Sequence, residues 1–193
     1  MTQGHFDTKR ARVLDNKERI KELRPNQLLT QVAGITKGMT CVDLGCGTGI
    51  FSLPMAYCVG SEGVVYAVDD SAEMLKYLRA KNPPPNLRLV QRDAKQTGLG
   101  NQIADFCLLA FILHEVKQPY SIIAEAFRLI KPDGRALVVE WKAELDSPGP
   151  PQRIRLTRDR VERLFERVGF TPTGYYDWSK NHYVVTTRKM KPE

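Results

Sequence analysis

Residues 40–49 read TCVDLGCGTG, and this stretch decides the fold. Its first half, Thr40–Leu44, is a short apolar run that predicts a buried strand. Gly45, Gly47 and Gly49 follow at alternate positions. They remove side chains where the chain must turn sharply, and they let a ligand approach the backbone N–H groups at the start of a helix. We therefore expect a strand, a ligand-binding turn and a helix, in that order.

An acidic side chain ends the next predicted strand. Residues 64–69 read VVYAVD, and Asp69 closes this apolar run. A carboxylate at this position of a βαβ unit can accept hydrogen bonds from both hydroxyls of a ribose. Asp43, just ahead of the glycines, suits an ammonium group, either directly or through water. The two carboxylates therefore predict a nucleoside ligand that also carries an amino group.

Two ligand classes remain open on these residues. A dinucleotide brings an anionic pyrophosphate and favours the spacing G-x-G-x-x-G, whereas the third glycine of this chain comes one residue early, at Gly49. An amino-acid-bearing sulfonium nucleoside has an ammonium and no phosphate, and Asp43 suits it better. The sulfonium ligand is the preferred interpretation, and a dinucleotide-dependent oxidoreductase is kept as an alternative.

The rest of the chain predicts a layered α/β fold. Between residues 38 and 142, short β-branched runs alternate with segments of helical period, which is typical of βαβ units in a parallel sheet covered on both faces. Too few residues separate the two last strand-like runs for a helical crossover, so these strands should pair antiparallel. The other predicted strands are at 87–90, 104–110, 135–140, 173–178 and 182–187. The other predicted helices are at 50–58 and 120–130, one that Ser71 can cap, and one between a Thr157 cap and a Gly169 stop.

Length and apolar content predict one domain. The chain has 193 residues, of which 42% are hydrophobic, enough for one sizeable core. We expect a single domain over residues 1–193, with a helical N-terminal cap at 1–37 and a ligand-binding core at 38–193. Helices are predicted at 16–23 and 26–32, with a break at Pro25, and this cap should pack across the mouth of the site.

Targeting signals and metal motifs are not evident in the sequence. No apolar run is long enough to span a membrane and the N-terminus lacks the apolar region of a signal peptide, so we expect a cytoplasmic protein without a membrane span. The four cysteines show no Cys-x-x-Cys spacing, and we expect reduced core cysteines and no metal site. The oligomeric state is left open.

At this point the chain resembles the class I S-adenosylmethionine-dependent methyltransferases, and in particular the branch that includes the ubiquinone/menaquinone-biosynthesis methyltransferases. The resemblance extends from about His5 to Phe170. It rests on residues 42–49 (VDLGCGTG), 65–69 (VYAVD) with 71–75 (SAEML), 92–94 (RDA) and 125–135 (EAFRLIKPDGR). It implies a Rossmann-like fold with a seven-stranded sheet, S-adenosylmethionine as methyl donor, and transfer to a small-molecule acceptor.

The resemblance also implies a role for each cofactor-binding residue. Asp43 and the glycine loop would hold the methionine part of the donor, and Asp69 would hold its ribose. The adenine end would meet Asp70, Met74, Asp93 and Ala94, and Ala110 and Phe111 would line the side nearest the sulfonium. The predicted donor site therefore consists of Asp43, Gly45, Cys46, Gly47, Gly49, Asp69, Asp70, Met74, Asp93, Ala94, Ala110 and Phe111.

Candidate catalytic residues follow the fourth and fifth strands. His114 is the best candidate for a general base, because strand ends in such sheets face the ligand crevice; a histidine that only caps the loop is the alternative. Glu140 and Trp141 end the fifth strand and are candidates for the catalytic and acceptor pocket. His5 and Phe6 resemble the opening of related sequences and are predicted to belong to a lid.

The excess of basic over acidic residues makes a nucleic-acid acceptor an alternative to consider. The formal net charge is +7, which would favour an anionic partner such as RNA or DNA. The densest arginine cluster, at residues 153–167, is interleaved with acidic residues and lacks the aromatic residues that stack on bases. A small-molecule acceptor is therefore the main hypothesis. An RNA or DNA methyltransferase, a nicotinamide-type oxidoreductase and a non-catalytic binding module are the alternatives.

Overall fold

The computed structural model describes residues 14–144 and 149–191. Within them, seven strands form one sheet in the spatial order β3-β2-β1-β4-β5-β7-β6. Neighbours among the first five strands of this order run parallel, and β7 pairs antiparallel with both β5 and β6. The strands are β1 Thr40–Leu44, β2 Val64–Asp69, β3 Leu87–Gln91, β4 Ala104–Ala110, β5 Ile130–Trp141, β6 Phe170–Tyr176 and β7 His182–Lys189.

Helices cover both faces of the sheet, as the alternation in the sequence predicts. They are α1 Lys17–Leu23, α2 Pro25–Gln27, α3 Ser52–Val59, α4 Ala72–Ala80, α5 Pro119–Leu129 and α6 Arg158–Val168, with a π-helical turn at Leu28–Val32 and 3₁₀ turns at Leu113–Glu115 and Gln152–Ile154. Ser71 caps α4 and Thr157 caps α6, each with a side-chain oxygen that accepts from a backbone N–H of the first turn. The predicted doubly wound α/β fold is confirmed.

The core is divided by the sheet into two apolar layers. Successive residues of a strand point to opposite faces, so Phe106 and Leu108 pack in one layer, while Cys107 and Leu109 pack in the other. The first layer is completed by α3 and the N-terminal helices, and the second by α5 and α6. Cys41, Cys46 and Cys107 are free and buried in these layers.

The register brings the carboxyl ends of the central strands to one edge. Leu44 pairs with Val68 on one side and Leu109 on the other. The chain leaves β1 toward β2, whereas β4 lies on the opposite flank, so the strand order reverses between β1 and β4. Ligands of open α/β sheets bind in the crevice at such a reversal point.

The bounds of β5 and β6 differ most from the sequence prediction. Residues 131–134, which separate the predicted helix at 120–130 from the predicted strand at 135–140, lie inside β5, because Ile130 already pairs with Ala104. The residues between this pair and the pair Phe106–Arg135 bulge out. Asp133 takes a positive φ of 65° in this bulge. The sixth strand begins earlier than predicted, at Phe170, and ends before Trp178.

The N-terminal helices are tied to the C-terminal hairpin through Trp178. The Trp178 indole Nε1 donates to the Leu23 carbonyl oxygen at 2.7 Å, and the Arg24 guanidinium lies 4.2 Å from the Trp178 ring centroid. Arg24 takes a left-handed φ of 46° and ends α1 directly before Pro25. Among residues 14–144 and 149–191, no helix is long and apolar enough to cross a bilayer.

Candidate functional site

A cavity of about 560 Å³ opens at the carboxyl edge of the sheet. Eleven of the twelve predicted donor-site residues line it. They are Asp43, Gly45, Cys46, Gly47, Asp69, Asp70, Met74, Asp93, Ala94, Ala110 and Phe111. Gly49 is the exception: a Cβ at this position would lie 2.4 Å from the Leu78 Cδ1 atom, so this glycine allows close packing of the loop on α4.

Backbone hydrogen bonds shape the glycine loop. The N–H groups of Gly45 and Cys46 both donate to the Val68 carbonyl oxygen, at 2.8 and 2.9 Å, which folds the loop across the end of β2. Gly45 has a φ of +74°, and a Cβ there would lie 2.5 Å from the Ile112 Cδ1 atom. The loop therefore requires glycine for both its conformation and its close contacts.

Asp69 lies across the loop, partly buried, with both carboxylate oxygens engaged. Its Oδ2 atom accepts from the Gly47 N–H at 2.8 Å, and its Oδ1 atom accepts from the Ser71 N–H at 3.0 Å. Burial raises the pKa of Asp69 above its ordinary value, against the effect of these two hydrogen bonds. The second lone pair of each oxygen remains available for hydroxyl donors on a ligand.

Asp43 is the buried carboxylate of the cavity wall. The residue is 2% exposed, and its Oδ2 atom accepts a 2.5 Å hydrogen bond from the Ser52 hydroxyl. Burial raises the pKa of Asp43 to about 7, and the negative charge of Asp69 acts in the same direction. A cation placed beside Asp43 would favour the ionised form.

The ends of β2 and β3 form the far wall of the cavity. Met74 and Ala94 are buried there and give an apolar surface, while Asp70 and Asp93 are exposed at the rim. Asp93 accepts from the Lys95 N–H at 2.9 Å and forms an ion pair with the Lys95 ammonium at 3.0 Å. This wall combines apolar contact area with polar rim groups, as a base-binding surface requires.

Phe111 forms the opposite wall at the end of β4. It takes a left-handed φ of +60°, while its N–H donates to the Val139 carbonyl oxygen at 2.9 Å. Its ring packs edge-on against His182, with centroids 5.1 Å apart, and lies 5.8 Å from Trp141. A left-handed backbone at a bulky residue costs energy and is concentrated at functional sites.

The predicted catalytic pair, His114 and Glu140, lies together but behind the cavity wall. His114 Nδ1 and Glu140 Oε2 are 2.7 Å apart, and the two side chains are 5% and 0% exposed. Glu140 Oε1 also accepts from the N–H groups of Leu113 and His114, at 3.1 and 3.3 Å. Burial opposes the charged ring, but the hydrogen bond and the charge of Glu140 outweigh it and raise the pKa of His114.

Of the other predicted acceptor-pocket residues, the structure describes Trp141. The ring centroids of Trp141 and His182 are 4.3 Å apart, and the Arg155 guanidinium carbon lies 5.5 Å from the Trp141 ring centroid. Trp141 supports Phe111 from outside the cavity. His5 and Phe6 lie outside the described residues. Within residues 14–144 and 149–191, no three His, Cys, Asp or Glu side chains converge as a metal-binding group.

Several cavity residues escaped sequence reasoning. Leu14, Arg19 and Glu115 all line the cavity. Asp15, beside Leu14, accepts from the Thr48 hydroxyl at 2.7 Å and pairs with the Lys81 ammonium at 2.6 Å, which holds the N-terminal segment on the glycine loop. Glu115 could have been suspected from its place next to His114, whereas nothing in the local pattern of α1 distinguishes Arg19.

The cavity has two chemically different sides. The glycine-loop side consists of Asp43, the loop Gly45–Gly49 and Asp69, and the β4–β5 side consists of Phe111, His114, Glu115, Glu140 and Trp141. The first side offers carboxylates and backbone groups to a ligand. The second offers an aromatic wall and one accessible carboxylate.

Comparisons with known proteins agree with this geometry. A family model described as "Methyltransferase domain" matches residues 42–138, half of the chain. Demethylmenaquinone methyltransferase of Staphylococcus aureus is 32% identical over 75% of this chain and 60% of its own length. Ubiquinone/menaquinone biosynthesis C-methyltransferase UbiE of Haemophilus ducreyi is 30% identical over 76% of this chain and 70% of its own length.

A solved structure matches over the full fold. The crystal structure of a SAM-dependent methyltransferase from Aquifex aeolicus has a TM-score of 0.89 and 26% identity, and the match covers 96% of this chain and 100% of that one. The chain spans between 45% and 62% of the length of three curated relatives that it matches. Because the family model covers half of the sequence, this chain belongs to the class I S-adenosylmethionine-dependent methyltransferases, whose methyl donor is S-adenosylmethionine.

Proposed function

We propose that this chain transfers a methyl group from S-adenosylmethionine to a small organic acceptor. The observation that carries the proposal is the pair of carboxylates, Asp43 and Asp69, on either side of a glycine loop in one cavity. Asp43 would hold the donor's ammonium and Asp69 its ribose hydroxyls. Met74 and Ala94 would pack on the adenine ring, with Asp70 and Asp93 at its polar edge.

The residues present fit the donor. The cavity of about 560 Å³ falls within the roughly 300–1,000 Å³ typical of ligand pockets. A Cβ at Gly45 would lie 2.5 Å from the Ile112 Cδ1 atom, so only glycine lets the loop pack against Ile112 at the cavity wall. The charges also fit, because two carboxylates suit a ligand that carries an ammonium and a sulfonium.

When bound, S-adenosylmethionine supplies a methyl group that its positively charged sulfur has already activated. The chain's main contribution would be alignment, since restricting two reactants in this way can lower a barrier by roughly 7–11 kcal/mol. Ala110 and Phe111 would form the wall next to the reacting centre. Trp141 and His182 would hold Phe111 in place from behind.

An acceptor that must lose a proton would need a base on the β4–β5 side. His114 remains our hypothesis for this role, although its ring is bonded to Glu140 and lies behind the cavity wall. Glu115, the next residue, lines the cavity, and burial raises its pKa, which favours proton uptake. We therefore propose His114 and Glu115 as the two candidates for a proton acceptor.

The proposed acceptor class rests on the relatives. Those from Staphylococcus aureus and Haemophilus ducreyi are named for menaquinone and ubiquinone biosynthesis, so a quinone-like ring is the first acceptor class to test. Nucleic acid is less well supported, because Arg158 already pairs with Glu162 at 2.9 Å and Arg167 stacks on Tyr120.

We also propose that residues 1–193 form one domain, with a cap at 1–37 and a core at 38–193.

Calorimetry followed by an acceptor screen tests the proposal. S-adenosylmethionine and its demethylated product should both bind at one site, and a nicotinamide dinucleotide should not. Labelled methyl donor, incubated with quinones, phenols, thiols and RNA, should then label a small molecule. Binding of the dinucleotide alone, or transfer to RNA with a steep salt dependence, would contradict the proposal. Affinity without transfer to any acceptor would indicate a binding module.

A further inference from the structure

Arg19 is a cavity-lining cation that the proposed donor site does not yet use. It lies on α1 and is partly buried, and its guanidinium carbon is 5.0 Å from the centroid of the Phe111 ring. Its Nη1 group donates to the Leu14 carbonyl oxygen at 3.1 Å. A guanidinium has five N–H donors, and this is the one acceptor it finds among residues 14–144 and 149–191. The remaining donors are available to a ligand.

The neighbouring carboxylates are committed to other partners. Asp15 accepts from Thr48 and pairs with Lys81, as described above. Glu22 accepts from the Ser179 hydroxyl at 2.9 Å and from the Asn181 amide at 3.0 Å. Both raise the pKa of Arg19 through space, as Glu115 does, but burial outweighs them and lowers this pKa to about 10. Arg19 therefore stays charged at neutral pH without a close counter-ion among the described side chains.

The position of Arg19 indicates which part of the donor it contacts. Leu14, to which Arg19 is hydrogen-bonded, lies over the glycine loop, 3.7 Å from where a Cβ of Gly47 would be. Phe111 lies on the other side of the guanidinium. Arg19 is thus held between the glycine loop and the end of β4, the region proposed above for the methionine part. The other lining cations are Lys95, which is paired with Asp93, and the exposed Lys117.

We infer that Arg19 binds the α-carboxylate of S-adenosylmethionine, so that helix α1 completes the donor site. This inference rests on the function proposed above. The donor carries one carboxylate, and its other charged groups are cations, for which the acidic side chains of the cavity are suited. Asp43 and Arg19 together would then hold the ammonium and the carboxylate of the amino-acid moiety. A guanidinium can bind a carboxylate through two parallel hydrogen bonds, which fixes orientation as well as charge.

A comparison of two ligands with three variants isolates this contact. The ligands are S-adenosylmethionine and its decarboxylated analogue, which keeps the sulfonium, ammonium and nucleoside. Arg19→Gln removes the proposed partner, and Arg19→Lys keeps the charge. Lys21→Gln removes one charge from an exposed position of the same helix and serves as the matched control. Dissociation constants from calorimetry are the readout, and thermal unfolding of each variant checks that it folds.

The expected result is a loss confined to one ligand. Arg19→Gln should weaken S-adenosylmethionine binding by about 30- to 100-fold and leave the decarboxylated analogue within about threefold, because a charge-assisted bond is lost only with the carboxylate present. Arg19→Lys should recover part of the affinity, and Lys21→Gln should match the unchanged protein for both ligands.

Other outcomes would overturn the inference in distinguishable ways. An equal loss for both ligands would mean that Arg19 only supports the fold of α1. Unchanged donor affinity with a raised KM for the acceptor would assign Arg19 to an anionic acceptor instead. If the unchanged protein bound neither S-adenosylmethionine nor its demethylated product, the proposed function itself would fail, and the inference with it.

Discussion

The two sides of the cavity are built from contacts of different range. On the glycine-loop side, Asp43 and Asp69 bond to Ser52, Gly47 and Ser71, all within one βαβ unit. On the β4–β5 side, His114 is held by Glu140 from the next strand, and Phe111 is packed by His182 from β7. The first side is a local structure, whereas the second exists only when distant segments have assembled.

Because of this difference, substitutions on the two sides should have different effects. The donor site is made from consecutive elements, and few of its contacts reach the β4–β5 side. The donor site can therefore keep its structure when residues of the β4–β5 side are substituted. The β4–β5 side depends on side chains from several elements, so its shape can vary with them. We expect substitutions on the glycine-loop side to alter donor affinity, and substitutions on the β4–β5 side to alter stability and transfer.

The largest expected effect is on stability, from Glu140→Ala. Glu140 is fully buried and accepts from the backbone N–H groups of Leu113, His114 and Trp141 and from the His114 ring, so its removal leaves buried donors unsatisfied. We expect a loss of about 3–5 kcal/mol in the free energy of unfolding, measured by urea denaturation. Glu140→Gln keeps one acceptor oxygen and should lose less. A loss under about 1 kcal/mol for alanine would show that this side is less interdependent than its contacts indicate.

The next effect is on donor affinity, from Asp69→Ala. Two charge-assisted hydrogen bonds to the ribose would be lost, at about 1.5 kcal/mol or more each, which corresponds to roughly 150-fold weaker binding. Calorimetry with S-adenosylmethionine measures it. Glu62→Ala, at an exposed position outside the cavity lining, removes one negative charge as a control and should leave donor affinity unchanged. Similar losses for both variants would mean that general charge, and not the position of Asp69, governs affinity.

A third effect separates donor binding from transfer. His114→Ala should lower the transfer rate by about 100-fold, the lower end of a general-base contribution, and leave donor affinity within a few fold. Glu115→Gln provides the comparison, since Glu115 lines the cavity and His114 does not. Initial rates on an identified acceptor decide between them. Unchanged turnover in His114→Ala would remove His114 from the candidate bases, and unchanged turnover in both would indicate an acceptor that needs no base.

The smallest effect is a pH dependence of donor affinity that originates from Asp43. Burial raises the folded-state pKa of Asp43 to about 7, from an unfolded-state pKa of about 4. The folded protein therefore binds this proton more tightly than the unfolded chain does. The resulting stabilisation is fully present below about pH 4 and is lost as the pH rises through 7. An ammonium ligand needs the ionised form. Donor affinity should therefore rise about tenfold between pH 6 and pH 8, with proton release on binding below pH 7.

Calorimetry in two buffers of different ionisation enthalpy measures this release. Asp43→Asn keeps an acceptor for the Ser52 hydroxyl and should bind the donor more weakly, with an affinity that does not change over the same pH range. A pH dependence that persists in Asp43→Asn would locate the titrating group on the β4–β5 side, and Glu115→Gln would then be the variant to test.

Much of the fold was predictable from short stretches. Residues 40–49 and 64–69 specify a strand, a glycine turn and a strand-end carboxylate through local chemistry, and Asp43, Gly45, Cys46, Gly47 and Asp69 of these stretches line the cavity. The other donor-site residues that line it were implied by the family resemblance. The boundaries of β5 and β6 were not predictable. The bulge at Asp133 depends on the pairing of Ile130 with Ala104, and Trp178 leaves the hairpin to bond to Leu23.

Local periodicity and glycine spacing were enough to specify the parallel sheet and the acidic residues around the glycine turn, since each depends on residues close together in the chain. They were not enough to show that His114 turns toward Glu140, or that Arg19 enters the cavity beside Phe111. Those arrangements join segments far apart in the chain. Pairing of β4 with β5 brings His114 to Glu140, and packing of α1 across the assembled sheet brings Arg19 to Phe111. No stretch of neighbouring residues encodes either contact.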